Sequence, residues 1–216
     1  MYKRQLGGGH SATGLRRYKE LGARFAGEWG KFGRILHERK QRGLLTVGFS
    51  AGADQLAEYL FRKSSGVPHD TDAFGLVRNT MVTLHHESSR NPELAHAARQ
   101  FPHCMVFGLP NDSGLCSDDG VLPSGNLWQV IECVIDNSWD DPTEAFHVKT
   151  RSGALIEHLY ADGRHWSFRG GDRIVRIQSP DNGFSEAWIA SGGRLIHYGT
   201  QRPSRHRSIE EVLASY

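Results

Sequence analysis

The chemistry in this chain concentrates in Thr46-Val47-Gly48-Phe49-Ser50-Ala51-Gly52-Ala53, which carries the pattern Gly-x-Ser-x-Gly. Leu44 and Leu45 precede it, so an apolar, β-branched run leads directly into the pattern, and residues 54–60 read as a helix behind it. Strand, tight turn and helix are the setting of a nucleophile elbow, in which a serine Oγ is exposed at the top of a sheet. Small residues must flank that serine so that strand and helix can approach, and Gly48, Ala51 and Gly52 supply them. At a helix start the N–H of Ala51 has no intrahelical acceptor and can donate to a developing oxyanion. A serine hydroxyl also needs a base within hydrogen-bond reach. Histidine titrates in the right range, and His85 and His86 end an extended run over residues 74–84. Adjacent strand residues point to opposite faces, so only one of the two can serve. Open α/β sheets place their sites at the carboxyl edge, where a histidine on one parallel strand can reach a serine on its neighbour.

Four stretches in order carry a resemblance. Gly48 to Ala53 resembles the nucleophile motif of peptidase family S51, the serine peptidases that include dipeptidase E and cyanophycinase, on a class I glutamine-amidotransferase-like fold. Gly7-Gly8-Gly9-His10 is similar to that family's glycine-rich oxyanion loop. Leu84-His85-His86-Glu87 with Ser89-Arg90 is similar to the segment of its catalytic histidine, and residues 108–114 to the strand and turn that follow. The resemblance covers about residues 5–123 and implies His86 as the base, because the family histidine precedes the position of Glu87. It implies Gly8 and Gly9 as partners of Ala51 in the oxyanion hole, since glycines let backbone N–H groups come close to a substrate.

A third group should orient the imidazole and stabilise its cation. The resemblance implies an acid between serine and histidine in the chain, where Glu58, Asp70 and Asp72 stand. Glu58 falls two turns into the expected elbow helix, away from the site. Asp72 opens a stretch, Asp72 to Leu76, that resembles a family segment whose aspartate is not catalytic. Asp70 remains as the candidate acid, with an ordinary solvated loop residue as the other account of it.

The elements that must position these groups read as follows. Residues 14–25 form a helix with Leu15, Tyr18, Leu21 and Phe25 on one face. Residues 29–42 form a second, with basic residues in its last turn and Gly43 beyond its end. Asn91 as N-cap and Pro92 at the first helical position open a helix to about residue 100. Residues 103–109 form a buried strand, and short strands or turns run on to Leu122. Only Tyr2 to Leu6 precede the glycine loop, where S51 members carry further strands and helices. A shortened sheet, one completed by a partner, or a fragment of a longer chain are the three expectations; the exposed edge leads either to self-association as a homodimer or, the favoured account, to cover by the β-rich extension folding back within one chain.

Near residue 140 the composition shifts. A polar, turn-forming linker precedes strand-like runs at 145–150, 154–160, 164–168, 173–178, 184–190 and 194–199, separated by Gly-containing turns. Such spacing predicts an antiparallel meander or small barrel, with Tyr160, Trp166, Phe168, Phe184, Trp188 and Tyr198 filling its core. Ser208 to Glu211 form a capping box. The expected organisation is an α/β domain over 1–137 with a parallel sheet flanked by helices, a β-rich extension over 143–200, and a tail helix within 204–216.

The 216 residues have a formal net charge of +2, which makes no case for nucleic acid or membrane as partner. No apolar run reaches about 18 residues, and the basic start runs into glycines rather than an apolar signal core. Cys104, Cys116 and Cys133 lack metal-site spacing and read as buried free thiols of a cytoplasmic protein. The expected activity is cofactor-free, metal-free, serine-dependent hydrolysis of a small peptide amide, and the resemblance extends this to an aspartyl residue at the cleaved bond. Two alternatives stand beside it: a non-catalytic S51-like relative that binds a partner, and a serine esterase or acyltransferase.

Overall fold

The computed structural model describes residues 3–61, 72–136, 153–181, 183 and 185–216. In chain order its elements are β1 (Lys3–Leu6), α1 (Ser11–Ala26), α2 (Lys31–Gln41), β2 (Leu45–Gly48), α3 (Ala51–Leu56), β3 (Thr80–Leu84), a 3-10 turn (Ser88–Arg90), α4 (Asn91–Gln100), β4 (Met105–Leu109), β5 (Ser113–Val121), β6 (Leu127–Ile135), β7 (Ile156–Leu159), β8 (His165–Phe168), β9 (Arg173–Gln178), β10 (Ser185–Ser191), β11 (Arg194–His197) and α5 (Ile209–Ser215). They fall into two compact units, Met1–Leu109 with Glu157–Trp166, and Pro110–Ile156 with Ser167–Tyr216. No described helix is long and apolar enough to cross a membrane.

The first unit is mixed α/β. β1 and β2 pair in parallel, with Leu6 opposite Gly48. β3 and β4 pair in parallel, with Leu84 opposite Leu109, and the sheet order β3-β4-β7-β8 continues antiparallel at β4-β7. α1 starts at Ser11, because the His10 side chain accepts from the Thr13 N–H at 3.3 Å and so caps it. It ends at Gly27, whose φ of 65° lets it close the last turn by donating to Ala23 O. Leu15 and Leu36 pack with Leu6, Leu56, Leu60, Phe74 and Leu76, and the Tyr18 and Phe32 rings stack against each other at 4.6 Å. The expected apolar face of α1 is buried only at its start. Leu21 and Phe25 stay 47% and 76% exposed, and Trp29 52%. α4 lays Leu94, Ala97 and Ala98 on Met81 of β3, Val106 of β4 and Cys104 just before β4.

Three sequence expectations change here. The elbow helix stops at Leu56 rather than Leu60, because the Asp54 carboxylate accepts the Phe61 N–H at 2.9 Å and the Glu58 N–H turns away to Thr80 O. Of residues 74–84 only Thr80–Leu84 are strand. Asn91 has helical backbone, φ −54° and ψ −35°, so Arg90 rather than Asn91 occupies the N-cap.

The second unit is an antiparallel sheet in the order β11-β10-β9-β6-β5. Residues 113–135, grouped from sequence with the α/β part, are long hairpin strands whose β6 pairs with β9, Trp128 opposite Ile177. This grouping differs from the expected division at 137–143. The predicted turns recur, but β7 and β8 belong to the other sheet, so the runs beyond residue 153 are not one meander. Residues 145–150 and Phe184 lie outside the described residues. Trp188 is buried with Val175, Ile177, Leu195 and Val212. Tyr160 and Phe168 are also buried, whereas Trp166 and Tyr198 are half-buried. The Ser208 side chain accepts from the Glu211 N–H at 3.2 Å and so caps α5, while the Glu211 carboxylate reaches past the N-cap residue to accept from the Arg207 N–H. All three cysteines are free; Cys104 and Cys133 are buried, but Cys116 is exposed.

Candidate active site

The turn from β2 to α3 is built by close backbone approach. The Phe49 N–H donates to Leu6 O at 2.9 Å, which ties the turn to the end of β1. A Cβ at Gly48 would lie closer than 3.0 Å to the backbone of Gly52, and a Cβ at Gly52 equally close to the carbonyl of Leu6. No side chain other than hydrogen fits at either position. Between them Ser50 has φ 50° and ψ −121°, a positive φ that non-glycine residues seldom adopt and that clusters at functional sites. Ser50 is exposed while Ala51 behind it is buried. Ala51 is the first residue of α3, so its N–H has no acceptor within the helix. A Cβ at Gly8 would stand 3.4 Å from Ser50 Cβ, so the glycine loop runs against the serine, and Gly9 has φ 134°.

The histidines lie beyond the end of β3 rather than on it, so strand alternation does not separate them: His85 takes a left-handed backbone, φ 51°, and is exposed, while His86 is buried. The His86 N–H donates to Leu109 O at 2.8 Å, and its ring lies over Gly108, where a Cβ would fall inside 3.0 Å of the imidazole. Arg90 fastens the loop behind it, donating to Leu84 O and Thr83 Oγ1, each at 2.8 Å, and pairing with Glu93. His86 Nε2 lies 2.9 Å from Asn91 Oδ1. An amide oxygen only accepts, so Nε2 carries the ring proton and Nδ1 keeps the lone pair. Nδ1 is buried and has no hydrogen-bond partner. Burial lowers the pKa of His86 below the ordinary histidine value, against the opposing effect of Asn91. The imidazole is therefore neutral at pH 7, the state a general base requires.

The structure thus gathers Gly8 and Ala51 at Ser50. It does not join Ser50 to His86 by a hydrogen bond, and the His86 Nε2 is engaged with Asn91 instead. Asp70 lies outside the described residues. Asp72 is exposed and bridges backbone to Tyr59, and the Glu58 carboxylate accepts from the Asn79 N–H. Two residues escaped the sequence. Asn91 was hidden by its suitability as a helix cap. Asp54, one turn past Ser50, is buried, and its carboxyl is pushed up to about 6, first by burial and against the Phe61 N–H and Ser11 hydrogen bonds.

Residues 27–122 match the family model of peptidase family S51. This stretch, somewhat under half of the chain, is similar to that family. It contains the elbow, the histidine segment and the turn after β4, and it begins beyond the Gly7-Gly8-Gly9 loop. No curated protein matches the chain. S51 is a family of serine peptidases, and the elbow around Ser50 lies inside the matched region.

Proposed function

We propose that this chain is a serine-type hydrolase that cleaves the amide bond of a small peptide. The observation that carries this is the exposed, positive-φ Ser50 between β2 and α3. Ser50 Oγ attacks the scissile carbonyl while its proton passes to His86, whose free lone pair is on Nδ1. The oxyanion is received by the N–H of Ala51 together with the Gly8-Gly9 backbone. Collapse expels the amine, which takes the proton from His86, and water then cleaves the acyl ester by the same route. The two parallel pairs, β1-β2 and β3-β4, fit a glutamine-amidotransferase-like order, with serine and histidine each following a strand. Asn91 sits on the imidazole where an acid sits in a Ser-His-acid triad, and Asp70 is the acid proposed from the resemblance. Substitution separates them: Asp70→Asn slows turnover if the acid acts, and Asn91→Ala does so if the amide holds the ring.

A second proposal, a non-catalytic S51 relative, is favoured by the engagement of His86 Nε2 with Asn91. A fluorophosphonate probe decides between the two. Folded parent protein should be labelled and Ser50→Ala, with an unchanged circular dichroism spectrum, should not. Equal labelling of both would remove Ser50 from the mechanism, and absence of labelling in the parent would select the non-catalytic relative. Aspartyl dipeptides as substrates test the peptidase reading; turnover of activated esters alone would assign an esterase or acyltransferase.

A further inference from the structure

A second group of side chains converges away from Ser50. Glu58 follows α3, and His103 and Cys104 lie in the turn between α4 and β4. One carboxylate oxygen of Glu58, one ring nitrogen of His103 and Cys104 Sγ all lie within 4.8 Å of one another. Glu58 Oε1 is 3.9 Å from His103 Nε2.

Several contacts hold these groups in place. Asn79 joins the two segments: its N–H donates to Glu58 Oε2, and its carbonyl accepts the Met105 N–H at 2.7 Å. The Glu58 N–H donates to Thr80 O at 3.0 Å, and the Cys104 N–H to Phe101 O at 2.9 Å. The His103 ring meets Tyr59 edge-on, with centroids 5.7 Å apart, and Phe101 at 6.5 Å. Cys104 is buried, whereas the His103 side chain is 48% exposed. The group is therefore closed on its thiol side and open to solvent at the imidazole.

Thiolate, imidazole and carboxylate together are a zinc donor set, with bonds of about 2.0–2.3 Å. Tetrahedral geometry at those lengths separates donors by roughly 3.3–3.7 Å, so an ion would draw these groups inward by about an ångström or less. The thiolate and imidazole disfavour magnesium and calcium, which take oxygen ligands. Thr80 and Met105 begin the parallel strands β3 and β4, and His86 follows the other end of β3. A five-residue strand spans about 16 Å, so this group sits at the opposite end of the sheet from the candidate catalytic histidine.

We infer that Glu58, His103 and Cys104 bind one zinc ion, with water in the fourth position, as a staple joining the exit of α3 to the α4-β4 turn. The ion takes no part in the serine chemistry, and the site stands whether or not Ser50 is active.

Cobalt(II) titration of metal-stripped full-length protein tests this. One equivalent should give visible bands of tetrahedral cobalt and a near-ultraviolet sulfur-to-cobalt charge-transfer band. The band should persist in Cys116→Ser/Cys133→Ser and vanish in Cys104→Ser. His103→Gln alters a half-exposed side chain and should leave the fold intact. It should weaken zinc binding, read by competition with a chromophoric chelator, by more than the ~10–100-fold typical of losing an outer-shell partner. Zinc should raise the unfolding temperature of the parent and not of His103→Gln. Absence of the charge-transfer band, its survival in Cys104→Ser, or zinc binding unaffected by His103→Gln would each overturn the assignment.

Discussion

At the scale of single residues, His86 and Asp54 make separate pH predictions. If His86 is the base, His86→Ala should cost roughly 10²–10⁴-fold in turnover, while His85→Ala should retain most of it. Burial lowers the His86 pKa, so the acid limb of kcat/KM should have its midpoint below the ordinary histidine value. A midpoint at or above that value would contradict a buried base. Asp54 acts on stability. Its folded pKa of about 6 exceeds the ordinary 3.8, so the folded state disfavours the charged carboxylate. The sign follows: no penalty below about pH 4, an increasing one up to pH 6, and a constant one above. The difference of 6 minus 3.8 corresponds to about 3 kcal/mol. Asp54→Asn keeps an acceptor for the Phe61 N–H. It should be more stable than the parent at pH 7.5 and equal to it near pH 3.5 in urea unfolding. Equal stability at both pH values would show that Asp54 ionises without cost.

At the scale of elements, the loop from β3 to α4 is a local device. Arg90 ties it to Leu84 and Thr83, and Asn91 ties it to His86. Asn91→Ala frees the imidazole Nε2. It should leave thermal stability within about 1 kcal/mol, the net worth of one hydrogen bond, yet change the pH profile of any turnover. An unchanged profile would assign Asn91 to packing alone. The elements legible in the sequence are those whose signals are local. The elbow was legible because Gly48, Ser50 and Gly52 sit between an apolar strand and a helix. The α5 cap was legible because Ser208 and Glu211 are three residues apart. The early end of α3 was not, because it depends on Phe61 and Thr80 taking up bonds from Asp54 and Glu58, which no local pattern records. Asn91 is ambiguous in the sequence for a related reason: a good capping residue and a good histidine partner have the same side chain.

At the scale of the whole molecule, the alternation of strands and turns was legible but their partners were not. β6 and β9 pair across the intervening segment, and β7 leaves that sheet to pair with β4. Both pairings depend on contacts between residues far apart in sequence. A fragment of residues 1–139 would keep β5 and β6 and lose β9. It would expose the unpaired edge of β6, with Val130 and Ile131, and strip β7 from β4. An open apolar edge is a template for association, so this fragment should aggregate in light scattering while the parent does not. A monomeric fragment with the parent's thermal transition would show that the second sheet is dispensable.

The crowding of Gly48 and Gly52 against the backbone of their neighbours separates two kinds of selection that a serine motif usually merges. In a library randomised at positions 48–52 and sorted only for folded protein, both glycines should be retained, since even a methyl group must displace backbone and overpacking alone costs about 1–3 kcal/mol. Phe49 and Ser50 are exposed and should vary, with glycine and asparagine enriched at 50 because its φ is positive. The glycines are thus a record of folding, and would outlast catalysis in a lineage that had lost it. Only the hydroxyl at position 50 reports on chemistry.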